Sequence, residues 1–198
     1  ARQHLERAYA TAQEIASAIW IAGTTGKLAL AYLERGDVDL AAELLARHPT
    51  LDDAPNLQAR VLACMRAEVN LAQGQPAAAL DVVNVLIATT PEIAPGQVIP
   101  RLWHLRGRVW ARLGQWEEGT ADLRAACAGS LANGSRPLAW RIQADLARLY
   151  DAQGMAAGAD AERAGAHALV AALAEGVPDA AWRAHFVEQA QRRIERKD

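Results

Sequence analysis

The chain has 198 residues, 52% of them hydrophobic, and a formal net charge of −2. That apolar content excludes a disordered tail, and near-neutral charge argues against a general nucleic-acid binder, whose domain would be distinctly basic. The length suits one sizeable domain or two small ones. Alanine supplies 46 residues and aromatics only 5%, which favours closely packed helices over a β-sandwich built from Val, Ile, Thr and aromatic side chains.

No stretch approaches the roughly 20 apolar residues that span a bilayer. Cys64 and Cys127 are too few and too far apart for a disulfide framework, and each sits in an apolar helical context. They read as buried thiols of a cytoplasmic protein. The N-terminus has no initiator Met and no apolar signal core, and it starts directly in a helical pattern, as a fragment of a longer protein would.

In chain order, apolar periodicity and end signals predict helices at 2–17, 19–35, 38–48, 56–73, 76–89, 98–114, 117–129, 137–153, 156–175 and 179–195. Loops rich in Pro, Gly, Asp and Asn are expected at 51–56, 91–99 and 130–137. Gly176-Val177-Pro178-Asp179 reads as a stop followed by a fresh start. In the last segment Trp182, Phe186, Ala190 and Ile194 recur every four residues, while Arg183, Glu188, Arg192 and Arg193 fall on the other face.

Gly36, Gly74, Gly114 and Gly154 punctuate this list at spacings of 38, 40 and 40 residues. Each follows an apolar-periodic stretch and precedes a second helix, so each reads as the left-handed residue ending a helix before a short turn. Residue types recur around them. Four places before the glycine stand Tyr32, Asn70, Trp110 and Tyr150. Seven before it stand Ala29, Ala67, Gly107 and Ala147; five after it, Ala41, Ala79, Gly119 and Ala159. Small residues at those two places allow two helix axes to approach closely.

This pattern resembles the tetratricopeptide repeat (TPR) family, a helix–turn–helix module of about 34 residues. The segment LWHLRGRVWARLGQWEEGTADLRAA fits best, with Trp103, Gly107, Trp110, Gly114, Gly119, Leu123 and Ala126 at the family's signature places, and Pro91 stands where the family has its inter-repeat proline. Arg66 and Arg106 depart from it, standing where a leucine is usual, and Arg163 replaces the core residue found at Leu45, Val83 and Leu123. The resemblance implies an all-α, right-handed superhelix of antiparallel helix hairpins, a TPR-like α-solenoid forming one domain over 1–198. Within it, 1–17 is a partial repeat helix, 18–50, 56–90, 98–130 and 137–175 are repeats, and 178–196 is a capping helix with a wet outer face. PGQVIPRLWHLRGRVWARLG, PLAWRIQADLARLYDAQG and GVPDAAWRAHF are also similar to the TPR sensor regions of STAND-type ATPases, MalT-like regulators and ATPases fused to nucleotide cyclases. That likeness implies a sensor or protein-interaction domain in a cytoplasmic bacterial signalling protein, with other domains of the parent as partners.

Chemistry is sparse. Gly23-Thr24-Thr25-Gly26-Lys27-Leu28 contains a Gly-Lys pair, but its spacing is too short for a phosphate loop and Leu28 replaces the metal-binding hydroxyl. The glycines instead suit a bend or a close helix contact. The five histidines are scattered, no serine sits in a nucleophile elbow, and Asp52-Asp53 and Glu117-Glu118 are loop or first-turn residues. No catalytic residue, cofactor or metal is expected, and the chain reads as no enzyme.

One constellation stands out. On 98–114, Arg101, His104, Arg108 and Arg112 recur at helical spacing, and Arg141 and Arg148 do so on 137–153; no acid occurs from 93 to 116, Glu117 being the next. If first helices line the superhelix interior, these side chains share a groove. Arginine's planar fork suits an acidic peptide, a carboxylate or a phosphate. The competing reading is a solvated face, or arginines paired with Asp145, Asp151 and nearby acids. A small anionic ligand, a nucleic-acid effector pocket, or a spacer or self-association module are the other functional readings; no membrane is expected, and nucleic acid is disfavoured. Surrounded by cations, His104 is expected to stay neutral. Trp103 and Trp110 are expected in the core, Trp20 and Trp116 partly exposed.

Overall fold

A computed structural model describes residues 2–48, 57–90 and 98–196. The expected loop at 51–56, most of that at 91–99, and with them Asp52, Asp53 and Pro91, lie outside the described residues. Among those described, every regular element is an α-helix: α1 (Arg2–Glu14), α2 (Ala18–Leu33), α3 (Val38–Ala46), α4 (Leu57–Ala72), α5 (Pro76–Ala88), α6 (Pro100–Arg112), α7 (Trp116–Ala132), α8 (Arg136–Ala152), α9 (Ala156–Glu175) and α10 (Ala180–Glu195). None is long and apolar enough to cross a membrane. The chain divides into two compact units, 1–93 and 94–198.

The hairpin turns follow directly from the repeating glycines. Gly36, Gly74, Gly114 and Gly154 have φ of 84°, 74°, 75° and 72°, a region that costs an L-residue energy and glycine little. In each turn the next residue's N–H donates to the carbonyl five residues back: Asp37 to Tyr32 at 3.0 Å, Gln75 to Asn70 at 2.8 Å, Gln115 to Trp110 at 2.9 Å and Met155 to Tyr150 at 2.8 Å. The acceptors are the recurrent residues four places before each glycine, so this position also closes the helix-ending motif.

Two ends differ from expectation. The 130–137 segment is not a loop: α7 runs to Ala132 and α8 starts at Arg136. Gly134, at φ 69°, ends α7 in the same manner, with Ser135 N–H donating to Ser130 O at 2.8 Å. The first helix ends at Glu14, not 17, because Ala16 adopts φ 52° and Ser17 N–H reaches Ala12 O at 3.3 Å. Without a glycine, nothing in the sequence flags that turn.

The small residues form the closest helix contacts. Ala29, Ala41, Ala67, Ala79, Ala147 and Ala159 are fully buried, and Gly107 and Gly119 are buried too. A Cβ on Gly107 would lie 2.7 Å from Leu123 Cγ and 3.1 Å from Gly119 O. The Gly-Lys segment at 23–28 lies inside α2, where a phosphate-cradling loop has no place. Gly26 there faces α4, and a Cβ on it would meet Val61 Cγ1 at 2.8 Å.

The three arginines that break the family pattern each have a structural task. Arg66 donates to the carbonyls of Leu45, at 3.3 Å, and His48, satisfying groups at the end of α3. Arg106 forks onto Asp122 through Nε at 2.6 Å and Nη2 at 2.8 Å, tying α6 to α7. Arg163 bridges Asp160, at 2.9 Å, and Asp151.

In unit 1, Nε2 of His48 sits 3.1 Å from Thr25 Oγ1 and 3.3 Å from Tyr9 OH. Burial, and then the charges of Arg66 and Arg47, hold its pKa below the ordinary imidazole value. The unfolded chain therefore takes up a proton at higher pH than the folded one. Stability is present in full above about pH 6.5 and is lost as pH falls through that value towards the depressed folded pKa. Urea denaturation across this window should show the loss, and His48→Gln should flatten it. An unchanged slope in the variant would remove His48 as its cause.

In unit 2, two apolar clusters organise the helices. Leu123, Ala126, Ile142, Leu146, Leu149 and Tyr150 join α7 to α8. Trp140, Ala144, Ala166, Val170, Ala190 and Ile194 join α8, α9 and α10. α10 begins as expected, Asp179 accepting from Trp182 N–H at 2.8 Å. Its packing reaches only part-way: Ala190 and Ile194 are buried and Phe186 half-buried, but Trp182 is 76% exposed. The cluster beneath α10 covers its C-terminal half, so the first turn overhangs. Trp182, His185, Phe186 and Gln189 line a shallow depression there.

Candidate functional site: the arginine face of α6 and α8

α6 is buried along two directions because it packs on α7 and touches α8. Leu102, His104, Leu105, Gly107 and Val109 face those neighbours. His104 is thus buried between helices and does not line an open groove. The sequence pattern concealed this, since a one-sided amphipathic reading assigns an inner helix only one apolar face.

The acid that meets this face is Asp145, on α8 and itself buried. His104 Nε2 lies 2.5 Å from Asp145 Oδ2. Arg148 Nη2 donates to Asp145 Oδ1, and Arg108 Nε lies 3.9 Å from Oδ2. Arg148 also uses Nη1, donating to the Arg193 carbonyl of α10 at 2.9 Å. One carboxylate therefore gathers side chains from α6 and α8, and Arg148 carries the connection to the end of α10. The expectation of a neutral His104 weighs only the nearby cations and does not include this carboxylate, 2.5 Å from its Nε2.

The six groove candidates do not behave alike. His104, Arg108 and Arg148 converge on Asp145. Arg141 turns back along its own helix, donating to Pro137 O at 2.6 Å and lying 4.6 Å over the Trp140 ring. Arg101 and Arg112, at the two ends of α6, are exposed. The side-chain bond between Arg148 and the α10 backbone had no signal in the sequence, because its acceptor is a main-chain carbonyl.

Asp145 is shared by Arg108 and Arg148, and Asp122 takes the fork of Arg106. Arg101 and Arg112 are exposed, and α6 contains no acid. Such a face attracts anions, and salt weakens the attraction.

Other chemistry is not assembled. No group of three or more His, Cys, Asp or Glu among the described residues could hold a metal ion. Cys64 and Cys127 are buried and form no disulfide, and burial, with Glu162 adding to it, raises the Cys127 pKa and leaves it less nucleophilic. Trp20 and Trp116 are 63% and 40% exposed, Trp103 and Trp110 half-buried at the edge of the core.

No family model matches the sequence, and no curated protein matches it. Two solved structures are similar. One is a crystal structure of a single-substitution variant of nearly identical TPR-like repeats of a kinesin light chain-like protein from Podosopora anserina, at 22% identity and a TM-score of 0.55, covering 87% of this chain and 86% of that one. The other is a crystal structure of such repeats from the same source, at 20% identity and a TM-score of 0.51, covering 99% and 88%. At this identity the likeness concerns architecture, and it agrees with the glycine-punctuated hairpins: the chain has an all-α, TPR-like repeat fold.

Proposed function

We propose that the chain is a non-enzymatic interaction module, one domain in function, that holds an acidic segment of a partner protein against the α6–α8 face. The observation that carries this is a pair of exposed arginines, Arg101 and Arg112, at the two ends of an acid-free helix in a chain of net charge −2. The repeat fold supports the reading, since stacked hairpins offer extended side-chain surfaces without a reactive centre. The resemblance to the sensor regions of signalling ATPases supports a cytoplasmic bacterial signalling protein as parent, whose other domains are then natural partners.

The test is calorimetric titration of the full chain with hexaglutamate at low and high salt. Binding should weaken as salt rises, and Arg101→Ala combined with Arg112→Ala should weaken it about fivefold, the effect expected for two exposed charges. Both positions are exposed, so the variant keeps its helicity. Equal binding by wild type and variant would refute the site. Tighter binding of inorganic phosphate or a single-stranded oligonucleotide than of the peptide would replace the partner with a small anion or a nucleic acid.

A further inference from the structure

α8 and α9 meet closely where Gln143 crosses Gly165. A Cβ on Gly165 would lie 2.5 Å from Gln143 Nε2, 3.1 Å from Cδ and 3.2 Å from Oε1, so the amide rests directly on α9 and glycine is what leaves it room. One turn earlier on α9 stands half-buried Glu162, whose side chain shares a hydrogen bond with that amide. A carboxylate has no proton to give, so the bond runs from Gln143 N–H to Glu162. The amide is left half satisfied, because Gln143 Oε1 is buried and has no hydrogen-bond partner among the described residues. A buried acceptor without a donor is disfavoured. Glu162, already bonded to the same amide, becomes a donor when it takes up a proton.

We propose that Glu162 and Gln143 form a proton-operated latch between α9 and α8: a proton taken up from solvent gives the Glu162 carboxyl the O–H that Gln143 Oε1 lacks. A carboxylic acid and a primary amide match face to face. The acid O–H donates to the amide oxygen while the amide N–H donates to the acid carbonyl, so one bond becomes two.

The groups around Glu162 come from several helices. α7 supplies Arg124, which favours the carboxylate, and buried Cys127. Asp151 of α8 pairs with Arg163 of α9, which also takes Asp160. On α10, Glu195 meets His167, more than a turn further along α9. Burial, against the Gln143 bond and Arg124, holds the Glu162 pKa above the ordinary carboxyl value. The folded chain therefore takes up this proton at higher pH than the unfolded one. The latch contributes in full below about pH 4.5 and is lost as pH rises through the folded value. Its sign is opposite to that of His48.

Hydrogen exchange of the full chain, corrected for the intrinsic pH dependence of exchange, reads the latch on the amides flanking Gln143 and Gly165. Glu162→Gln installs a side chain that donates to Oε1 and accepts from Nε2 at every pH. At neutral pH these amides should exchange about fivefold more slowly than in wild type, the effect of one added hydrogen bond, and the gap should close as pH falls. Glu162→Met removes the charge but offers no donor, so it should show no such gain. Equal protection in the two variants would make the effect one of charge burial and overturn the latch. A Glu162→Gln gap that is absent at neutral pH, or independent of pH, would overturn it too. Circular dichroism monitors folding; if a variant does not fold, carboxyl-carbon NMR of wild type decides. Glu162 should titrate above 4.5, and wild-type protection should rise as pH falls through that midpoint. A midpoint at or below 4.5, or protection that does not follow it, ends the proposal.

Discussion

Gly107→Leu should destabilise residues 94–198 by about 3 kcal/mol or more, near the upper end of overpacking costs. The site has no room at its first atom. A Cβ there falls 2.7 Å from Leu123 Cγ, 3.0 Å from Leu123 Cδ2 and 3.1 Å from the Gly119 carbonyl. Leu123 is itself 1% exposed within the α7–α8 cluster, so it cannot swing away without disturbing Ile142 and Leu146. The carbonyl belongs to α7's backbone and can yield only if the helices separate. Gly119 cannot compensate, since its own Cβ would approach Gly107 O to 3.2 Å. Glycine on both sides of one crossing is what brings α6 and α7 together.

Gly23 provides the control. It also lies in a helix interior, but nothing stands within 4 Å of an added Cβ. Gly23→Ala should therefore stabilise by about 0.5–1 kcal/mol, through reduced unfolded-state freedom and better helix propensity. Urea denaturation of both variants gives opposite signs for superficially similar changes. A Gly107→Leu chain within about 0.5 kcal/mol of wild type would show that the hairpin is looser than its geometry requires.

The contrast explains what the sequence could disclose. Turn glycines, small contact residues and apolar periodicity are local properties that repeat, so one occurrence reinforces the next. The hairpins were legible for that reason, and the two misplaced ends are informative. At Ala16 the left-handed turn lacks its usual residue, and at Gly134 the residue was present but outside the repeat register being followed. The arginine face was legible in composition and only partly in geometry. Spacing put Arg101, His104, Arg108 and Arg112 on one helix, and Asp145 was visible as a nearby acid. Spacing alone could not show that α6 uses two packing directions, which buries His104, or that Arg141 folds back on Pro137 and Trp140. Those outcomes depend on neighbours distant in sequence. Trp182 shows the same limit, because its helical period fits a packed face that the underlying cluster does not reach.

Arg148→Ala should cost about 3 kcal/mol, the lower end of the range for removing one member of a buried ion pair. The size follows from what remains. Asp145 is 7% exposed, and without Arg148 it keeps His104 at 2.5 Å and Arg108 only at 3.9 Å. A carboxylate left short of donors at that depth is strongly disfavoured. The Arg193 carbonyl also loses its 2.9 Å donor, which loosens the end of α10. Arg108→Ala should cost less than about 1 kcal/mol, because its side chain is more exposed and its contact with Asp145 is long. Hydrogen exchange distinguishes the cause: amides in the last turns of α10 should exchange faster in Arg148→Ala and not in Arg108→Ala. A double-mutant cycle with Asp145→Ala should return much of the loss, since removing both partners abolishes the stranded charge. If Arg148→Ala matched Arg108→Ala in stability and exchange, the tie from α6 through Asp145 to α10 would carry no energy. The expected difference also decides how the binding face is probed. Substituting Arg108 and Arg148 together would weaken a partner's binding partly by disturbing α8 and α10, whereas Arg101 and Arg112 report on charge alone.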